Sequence, residues 1–514
     1  MRTNRSRRNK RSTLRQQRSE LSLQNFRFRA LRNPLPPTEF LPEAHIEELH
    51  EASMHILENT GLDFFDDEAM ALWEQAGAKV DHARNHVWLD RELVLPLVAQ
   101  APSSFTWRAR NPDRNVLIGD NSVVFAPMGG MVYVSSLDMP RRPGTWEHLV
   151  NLNKLTHMCP MIHVGGGGLA ASDVRPTVRH LRRTVMSYTT SDKATYGTSH
   201  GRIMTTDVIE MAKLVYGDPL PDDPVISGVV NVNSPLTYDE RMLGGMITLA
   251  RAGQIITLTP FILAGAMSPI TIAAALAQQN AEALAGVALT QLVRPGAPVI
   301  YGGFTTNTDM KTGSPSFGTP EGAWAMIIGA QLARRYQLPY RGSGSLCSAN
   351  APDAQAAYET MWTLWPAVMA HTNLVNHSVG WLENGLTVSY EKLIMDLESL
   401  AMFYHFLEGF QINKETLALD MIHEIGPGGH HFGTAHTQAR YSSEFFQPFM
   451  KERMNFETWK NGGGHEAPQR ANAIWKELLA NYEAPKIDPG IEEALRSYAE
   501  KRERELEGVD LYTG

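Results

Sequence analysis

His377, Trp381 and Glu383 fall within seven residues, HSVGWLE, directly after the apolar run NLVN. An aromatic face beside a carboxylate suits a cation that cannot donate hydrogen bonds, such as a quaternary ammonium. Trp381 as a plain loop anchor and Glu383 as a solvated charge explain the same pattern, and spacing alone leaves both readings open. A second cluster, GPGGHHFGTAH, places three histidines and four glycines between Gly426 and His436. Imidazole is the commonest metal-ligating side chain, so a metal-dependent hydrolase using His430, His431 and His436 is one reading. Adjacent side chains on extended chain point to opposite faces, which works against His430 and His431 sharing one ion. The chain also has no HExxH, and no metal site is expected.

Two further stretches carry possible chemistry. The loop 301–323, YGGFTTNTDMKTGSPSFGTPEGA, is long, polar and rich in glycine, with Phe304 and Phe317 available to line a ligand. Long loops after strands commonly cover a ligand or partner. This one ends in Thr319-Pro-Glu, an N-cap followed by proline at the first helical position. The run Gly165 to Gly168 resembles a phosphate cradle, but it lacks the Lys-Ser ending of a P-loop and dinucleotide-binding spacing. A tight turn with close backbone approach is the expectation there.

Something must hold these residues together. From MIHVGGG onward, short apolar runs alternate with longer helical stretches: ATYGTSH, VISGVVN, IITLTP, APVIYGGF, YRGSGSL and NLVNHSV, starting about 30 to 45 residues apart. That spacing fits repeated βα units. Seven such units, with an eighth around GHHFG, predict an α/β fold: a (β/α)₈ TIM-type barrel, with a doubly wound open sheet as the alternative. Catalytic groups of such barrels lie at the carboxyl ends of the strands. The predicted domains are a disordered basic tail (1–33), an N-terminal cap of helices and short strands (34–145), the barrel (146–445) and a C-terminal helical extension (446–514). In the cap, HIEELHEASMHILENTG carries a helical stripe of Ile46, Leu49, Met54, Ile56 and Leu57 that Gly61 should stop. The charged helix GIEEALRSYAEKRERELEG is expected against another subunit.

Composition narrows the class. The chain has 514 residues, 43% of them apolar, and a net charge of −8. That balance conceals eleven basic residues against one acid in residues 1–33. The basic stretch lacks the apolar run of an export signal, and no segment is apolar enough to span a membrane. With only Cys159 and Cys347, a disulfide framework or a cluster held by four cysteines is excluded. A cytoplasmic protein with no nucleic-acid or membrane partner, forming a homo-oligomer, is expected.

The motifs GTPEGA, SLCSANAPDAQAAYE, HSVGWLENGLTVSYEKLIMD and GPGGHHFGTAHTQARYSSEFFQP together resemble the trimethylamine methyltransferase family of corrinoid-dependent enzymes. RARNP, FAPMGG and ETWKNGGG are similar as well, and the resemblance runs from about residue 35 nearly to the end. It implies a barrel whose mouth receives a separate corrinoid protein, with a methyl group passing from an amine to Co(I). The cobalamin belongs to that partner, and no cofactor is expected to be tightly bound in this chain. Members acting on trimethylamine carry pyrrolysine; here the similar segment, Ser345 to Asn350, contains only standard residues. The chain most resembles the branch without pyrrolysine, which includes glycine betaine methyltransferases. On this reading Tyr196, Phe304, His377 and Trp381 form a cage for a trimethylammonium head, with Glu383 as counter-charge. His200, Asn231, Asn233 or His431 would meet a substrate carboxylate, and no catalytic residue is assigned. Demethylation of trimethylamine, another methylamine or a methyl ether, the metal-dependent hydrolase, and a non-catalytic betaine-binding protein are the alternatives.

Overall fold

The structure, a computed structural model, describes residues 26–450 and 452–511. Most of the expected basic tail, residues 1–25, lies outside the described residues. Residues 26–33 are packed where disorder was expected: Leu31 is buried and pairs with Val123, and Phe26 lies against Phe446 and Phe449.

Eight parallel strands form the centre. They are β1 (Ser122–Phe125), β2 (Val164–Gly165), β3 (Ala194–Tyr196), β4 (Ile226–Val232), β5 (Ile255–Ala264), β6 (Val299–Gly302), β7 (Tyr340–Ser343) and β8 (Leu374–Asn376). A helix follows each: α1 (Trp146–Met158), α2 (Arg179–Thr190), α3 (Arg202–Tyr216), α4 (Glu240–Arg251), α5 (Ile272–Val293), α6 (Pro320–Arg335), α7 (Ala354–Met369) and α8 (Tyr390–Glu408). Hydrogen bonding joins them in the order β1-β8-β7-β6-β5-β4-β3-β2. The sheet curls until its end strands approach. His163 N–H, just before β2, donates to Phe125 O at 2.8 Å, and Phe125 N–H donates to His163 Nδ1 at 2.8 Å.

Seven of these strands coincide with the runs singled out from the sequence. The remaining one does not come from GHHFG. It is SVVF, β1, which the sequence pattern had placed in the cap, so the sheet begins before residue 146. Gly426–His436 forms no strand and lies in a surface arm, residues 409–448, in which no residue is buried.

Side-chain alternation builds the interior, because successive residues of a strand face opposite sides. Val124, Val164, Ala194, Ile255, Ile300 and Leu374 point inward together and form an apolar floor. The hairpin Ser104–Trp107 with Val116–Gly119 closes this floor from below, adding Trp107, Val116 and Ile118. Two or more positions further along the same strands, the inward residues become polar or aromatic, and there the site lies.

The cap covers one side. Its helix Glu43–His55, extended through Ile56–Thr60 and stopped at Gly61 (φ 76°), buries Ile46, Leu49, Met54 and Leu57, with Ile56 half-buried. It packs on α5, where Ser53 Oγ donates to Ala277 O and accepts from Asn280 Nδ2. With sheet on one side and cap on the other, α5 is buried throughout Ala275 to Gln291, the pattern of a helix without a solvent face.

At the other side α9 (Ala467–Ala480) lies along α8, with Trp475 Nε1 donating to Glu391 Oε1 at 3.0 Å. The helix α10 (Pro489–Glu505), expected against another subunit, packs on its own chain. Leu495 is buried among side chains of α2 and α3, and Arg502 pairs with Asp207 at 2.7 Å. The apolar stripe of α10 thus has its cover within the chain. No helix among the described residues is long and apolar enough to cross a membrane.

Candidate functional site

A cavity of about 740 Å³ opens at the carboxyl ends of the strands. Its walls follow from the period of two: Tyr196 on β3, Val229 and Asn231 on β4, Thr259 and Phe261 on β5, Arg341 on β7 and Asn376 on β8 all point inward. Phe304, His377 and Trp381 complete one side from the loops after β6 and β8. The opposite rim, from β1 to β3, is almost free of side chains, being formed by Gly129, Gly130, Gly166, Gly167, Gly168 and Gly197. The four-glycine run is a close backbone contact, as expected. A Cβ on Gly168 would lie 2.3 Å from Gly129 Cα, so only glycine fits.

The aromatic side is a continuous cluster. His377 and Trp381 have ring centroids 4.7 Å apart; Phe304 lies 5.6 Å from His377 and 6.1 Å from Trp381. Phe261 adds a ring 5.2 Å from Phe304, and Phe317 backs both Phe304 and Trp381 at 5.4 Å. Trp381 is pinned by a reciprocal pair: its Nε1–H donates to Cys347 O at 3.2 Å, and the Cys347 thiol donates to Trp381 O at 3.0 Å. Burial pushes that thiol up to about 12, so Cys347 is a clamp and not a nucleophile. The segment Ser345 to Asn350 does not line the large cavity.

Arg341 was not expected from the sequence, and it dominates the electrostatics. Its side chain is 2% exposed, and Nε has no hydrogen-bond partner. Nη1 reaches Gly303 O at 3.4 Å, Nη2 lies 3.2 Å from His377 Nε2, and the guanidinium stands 5.3 Å from the Phe304 ring centre. No Asp or Glu lines this cavity. Burial lowers the guanidinium to about 10, which leaves it charged at neutral pH. A buried cation without a counter-ion is costly, and nearly all such groups in folded proteins are paired or await a ligand. The observable signal in the sequence was one arginine inside the otherwise small and apolar strand YRGS.

His377 has donors at both ring nitrogens, Gly129 N–H at 3.2 Å and Arg341 Nη2 at 3.2 Å. A second ring proton would find no acceptor. Burial first, and Arg341 second, hold its pKa well below the ordinary histidine value, so the ring is neutral. A neutral imidazole face can receive a cation; a charged one would repel it. Tyr196 donates its hydroxyl to Asn376 Oδ1 at 2.6 Å and rests edge-on against Trp107, which makes it part of the cavity base.

Asn231 and Asn233 reach the cavity with no side-chain hydrogen bond to the described residues, and His200 lines it beside Thr198 at 2.9 Å. Burial, together with Arg241 and Arg183, keeps His200 below the usual histidine value. A second cavity of about 460 Å³ adjoins the first, lined by Arg179, Arg183 and Arg241 and again by no carboxylate. The mouth is therefore electropositive although the chain is net negative.

Two expected site residues are elsewhere. Glu383 faces away from the cavity, bonded to Arg141 at 2.6 and 2.8 Å and to Thr387 Oγ1 at 2.5 Å. Its backbone takes φ 52°, which turns the side chain away from the Trp381 face. His431 is exposed on the arm, with His430 and His436, remote from the strand ends that hold the cavity. Among the described residues no group of three or more His, Cys, Asp or Glu side chains could hold a metal ion.

A pH prediction arises from the neutral histidines. His163 is held down to about 3 and His157 to about 4, both mainly by burial, alongside His377. Folded pKa values below the unfolded one mean that the unfolded chain binds more protons as pH falls through about 6.5. Stability is thus complete above that pH and lost below it. Between pH 8 and pH 5.5 each histidine should subtract about 1.4 kcal/mol, about 4 kcal/mol for the three. Urea midpoints across this range measure it, and a constant midpoint would contradict it.

Known proteins share this chain's sequence along almost its full length. The family model for trimethylamine methyltransferase (MTTB) matches residues 5–507. The glycine betaine methyltransferase of Desulfitobacterium hafniense (strain Y51) is 38% identical over 475 residues, covering 92% of this chain and 98% of that protein. Trimethylamine methyltransferase MttB of Desulfitobacterium hafniense (strain DSM 10664 / DCB-2) is 30% identical over 460 residues, covering 89% and 92%. The solved hydroxylamine MtmB complex has a TM-score of 0.48 at 11% identity, over 85% of this chain and 92% of the other. The matched residues include all eight strands and the helical extension, and the protein belongs to the trimethylamine methyltransferase family and is a methyltransferase.

Proposed function

We propose that this methyltransferase takes its methyl group from a short betaine, glycine betaine foremost, and delivers it to the Co(I) of a separate corrinoid protein. The observation that carries the substrate is Arg341. A lone cation such as trimethylammonium would meet a buried guanidinium with no carboxylate to offset it. A zwitterion resolves the conflict, its carboxylate reaching the free Nε edge of Arg341 and its ammonium the aromatic cluster. Because Arg341 touches His377, the two ligand charges must be close together, as they are when one or two carbons separate them. The relative with the higher identity of the two is named for glycine betaine, which agrees.

The corrinoid supplies the nucleophile. The chain's own residues have a narrower task. A quaternary nitrogen recovers the electron pair of the broken C–N bond and departs as a neutral tertiary amine, so no acid is required. A cavity without carboxylic acids is consistent with that. Arg341 fixes one end of the substrate, and His377, Phe304 and Trp381 fix the other, directing a methyl group toward the open rim. Such positioning is itself a large part of catalysis. The glycine rim presents no side chains to a flat macrocycle approaching from outside, and the cavity exceeds what a small betaine alone needs.

We also infer that the curled sheet is a closed (β/α)₈ barrel. The backbone bond from His163 to Phe125 and the floor shared by six strands support closure. A cytoplasmic location follows from the chemistry, since Co(I) persists only under reducing conditions and both cysteines are free buried thiols.

Trp381→Leu keeps an apolar wall and removes the best cation-binding face. KM for the betaine should rise about tenfold with kcat little changed, the effect of losing roughly 1–2 kcal/mol of cation–π attraction. The decisive experiment mixes the protein with a Co(I) corrinoid protein encoded beside it and a panel of betaines and methylamines. Loss of the Co(I) absorbance in favour of methyl-Co(III), with a short betaine as best donor, is the expected result. Binding of betaine without any methylation would make this a binding protein, and a better rate with trimethylamine would overturn the substrate reading.

A further inference from the structure

Two apolar surfaces of this chain have no cover. The first is the arm, residues 409–448, which leaves the end of α8 and returns at Phe449. It is ordered by its own bonds: His436 Nε2 to Glu415 O at 3.1 Å and Gln438 Nε2–H to Phe432 O at 2.7 Å. Yet Phe410, Ile412, Leu419, Phe432 and Phe445 are 84%, 74%, 64%, 81% and 70% exposed. The second surface is the outer face of α7. Tyr358, Trp362 and Trp365 follow one another at helical spacing and are 63%, 50% and 44% exposed. The two surfaces are continuous, for Trp365 contacts Phe406 at 5.2 Å, and Phe406 lies one turn before the arm begins.

Exposed large apolar side chains scattered singly are ordinary, but contiguous patches mark an interface. The position of these patches selects the partner. Helix α8 starts beside the strand ends that open the cavity and runs to the opposite pole, so the arm departs from the pole remote from the site. A protein that visits the cavity mouth cannot cover it. A partner that must come and go is also badly matched to a surface this apolar, which is typical of permanent contacts. The chain itself presents both an apolar arm and an aromatic stripe. A two-fold contact places each arm on the other chain's stripe, covering all four surfaces at once. We propose that the arm of one chain packs on the α7 stripe of a second copy of the same chain, and that GPGGHHFGTAH is a segment of this subunit contact. The proposal is independent of the substrate reading.

Sedimentation of the full chain at micromolar concentration tests it. An even-numbered oligomer is expected. The pair Phe432→Glu with Phe445→Glu in the arm, and separately Trp362→Glu on α7, should each weaken association at least about thirtyfold, as removal of one central aromatic anchor does. Circular dichroism checks that the variants fold. A second measurement does not depend on them: a photo-crosslinking phenylalanine analogue at position 432 should join to the α7 peptide of another chain. A monomeric wild type, a crosslink confined to one chain, or a crosslink formed only with the corrinoid protein would overturn the proposal.

Discussion

Arg341→Met is expected to lower kcat/KM for a betaine by between about a hundredfold and a thousandfold, matching the 2–5 kcal/mol typical of removing one partner from a buried charge pair. The carboxylate contact exists both in the bound substrate and in the transition state. Most of the loss should therefore appear in KM, with kcat closer to wild type. Arg341→Lys keeps the charge but loses the planar fork and its reach, and should restore only part of the affinity. Trimethylammonium gives the opposite sign. It has no carboxylate to lose and gains from removal of the neighbouring guanidinium, so the preference for betaine over trimethylamine should collapse by more than the betaine loss alone. A structural role for Arg341 is excluded by the same variant. The guanidinium has an unpartnered Nε and no counter-ion, so an apolar chain of similar length should leave folding stability unchanged or raised. Loss of affinity together with an unchanged or higher melting temperature is the signature. A betaine kcat/KM within about threefold of wild type would place the carboxylate elsewhere.

The importance of Arg341 also explains the limits of reading this site from sequence. Tyr196, Asn231, Asn233, Phe304, His377 and Trp381 were legible because period-two alternation and strand-end position are local properties, and all six line the cavity. Arg341 obeys the same alternation, but in YRGSGSL the glycines drew the strand reading and the charge was passed over. Phe261 was hidden differently: β5 runs ten residues, and its last part lines the mouth after the apparent strand IITLTP has ended. Glu383 is near Trp381 in sequence and remote in direction, since a residue with positive φ intervenes. His431 failed because imidazole chemistry carries no information on whether a segment belongs to a sheet or to a surface arm. The eighth strand was missed for a topological reason. SVVF follows the floor hairpin immediately, and its helix α1 begins only after three further short strands, so the βα rhythm is masked.

Lys392→Met is expected to destabilise the fold by about 3–5 kcal/mol, the usual effect of stranding one member of a buried ion pair. Lys392 and Asp396 are 0% and 2% exposed, and Nζ reaches the two carboxylate oxygens at 2.5 and 2.7 Å. The ammonium also donates to Thr360 Oγ1 at 2.6 Å, tying α8 to α7. The other duty of Asp396 lies in the site: Oδ2 accepts the Gly380 N–H at 2.7 Å. Gly380 has φ 82° and lies between His377 and Trp381, so the pair fixes the turn that aims both rings. Lys392→Met leaves an unpaired carboxylate, whereas Lys392→Met with Asp396→Leu removes both charges and should recover much of the lost stability. It should not recover affinity, because the Gly380 amide then has no acceptor and the turn is released. Urea unfolding and betaine KM on the two variants separate these effects. A single variant that loses less than about 1 kcal/mol would mean that the pair does not hold the helices as its geometry indicates. A double variant with wild-type KM would mean that the turn is held without Asp396.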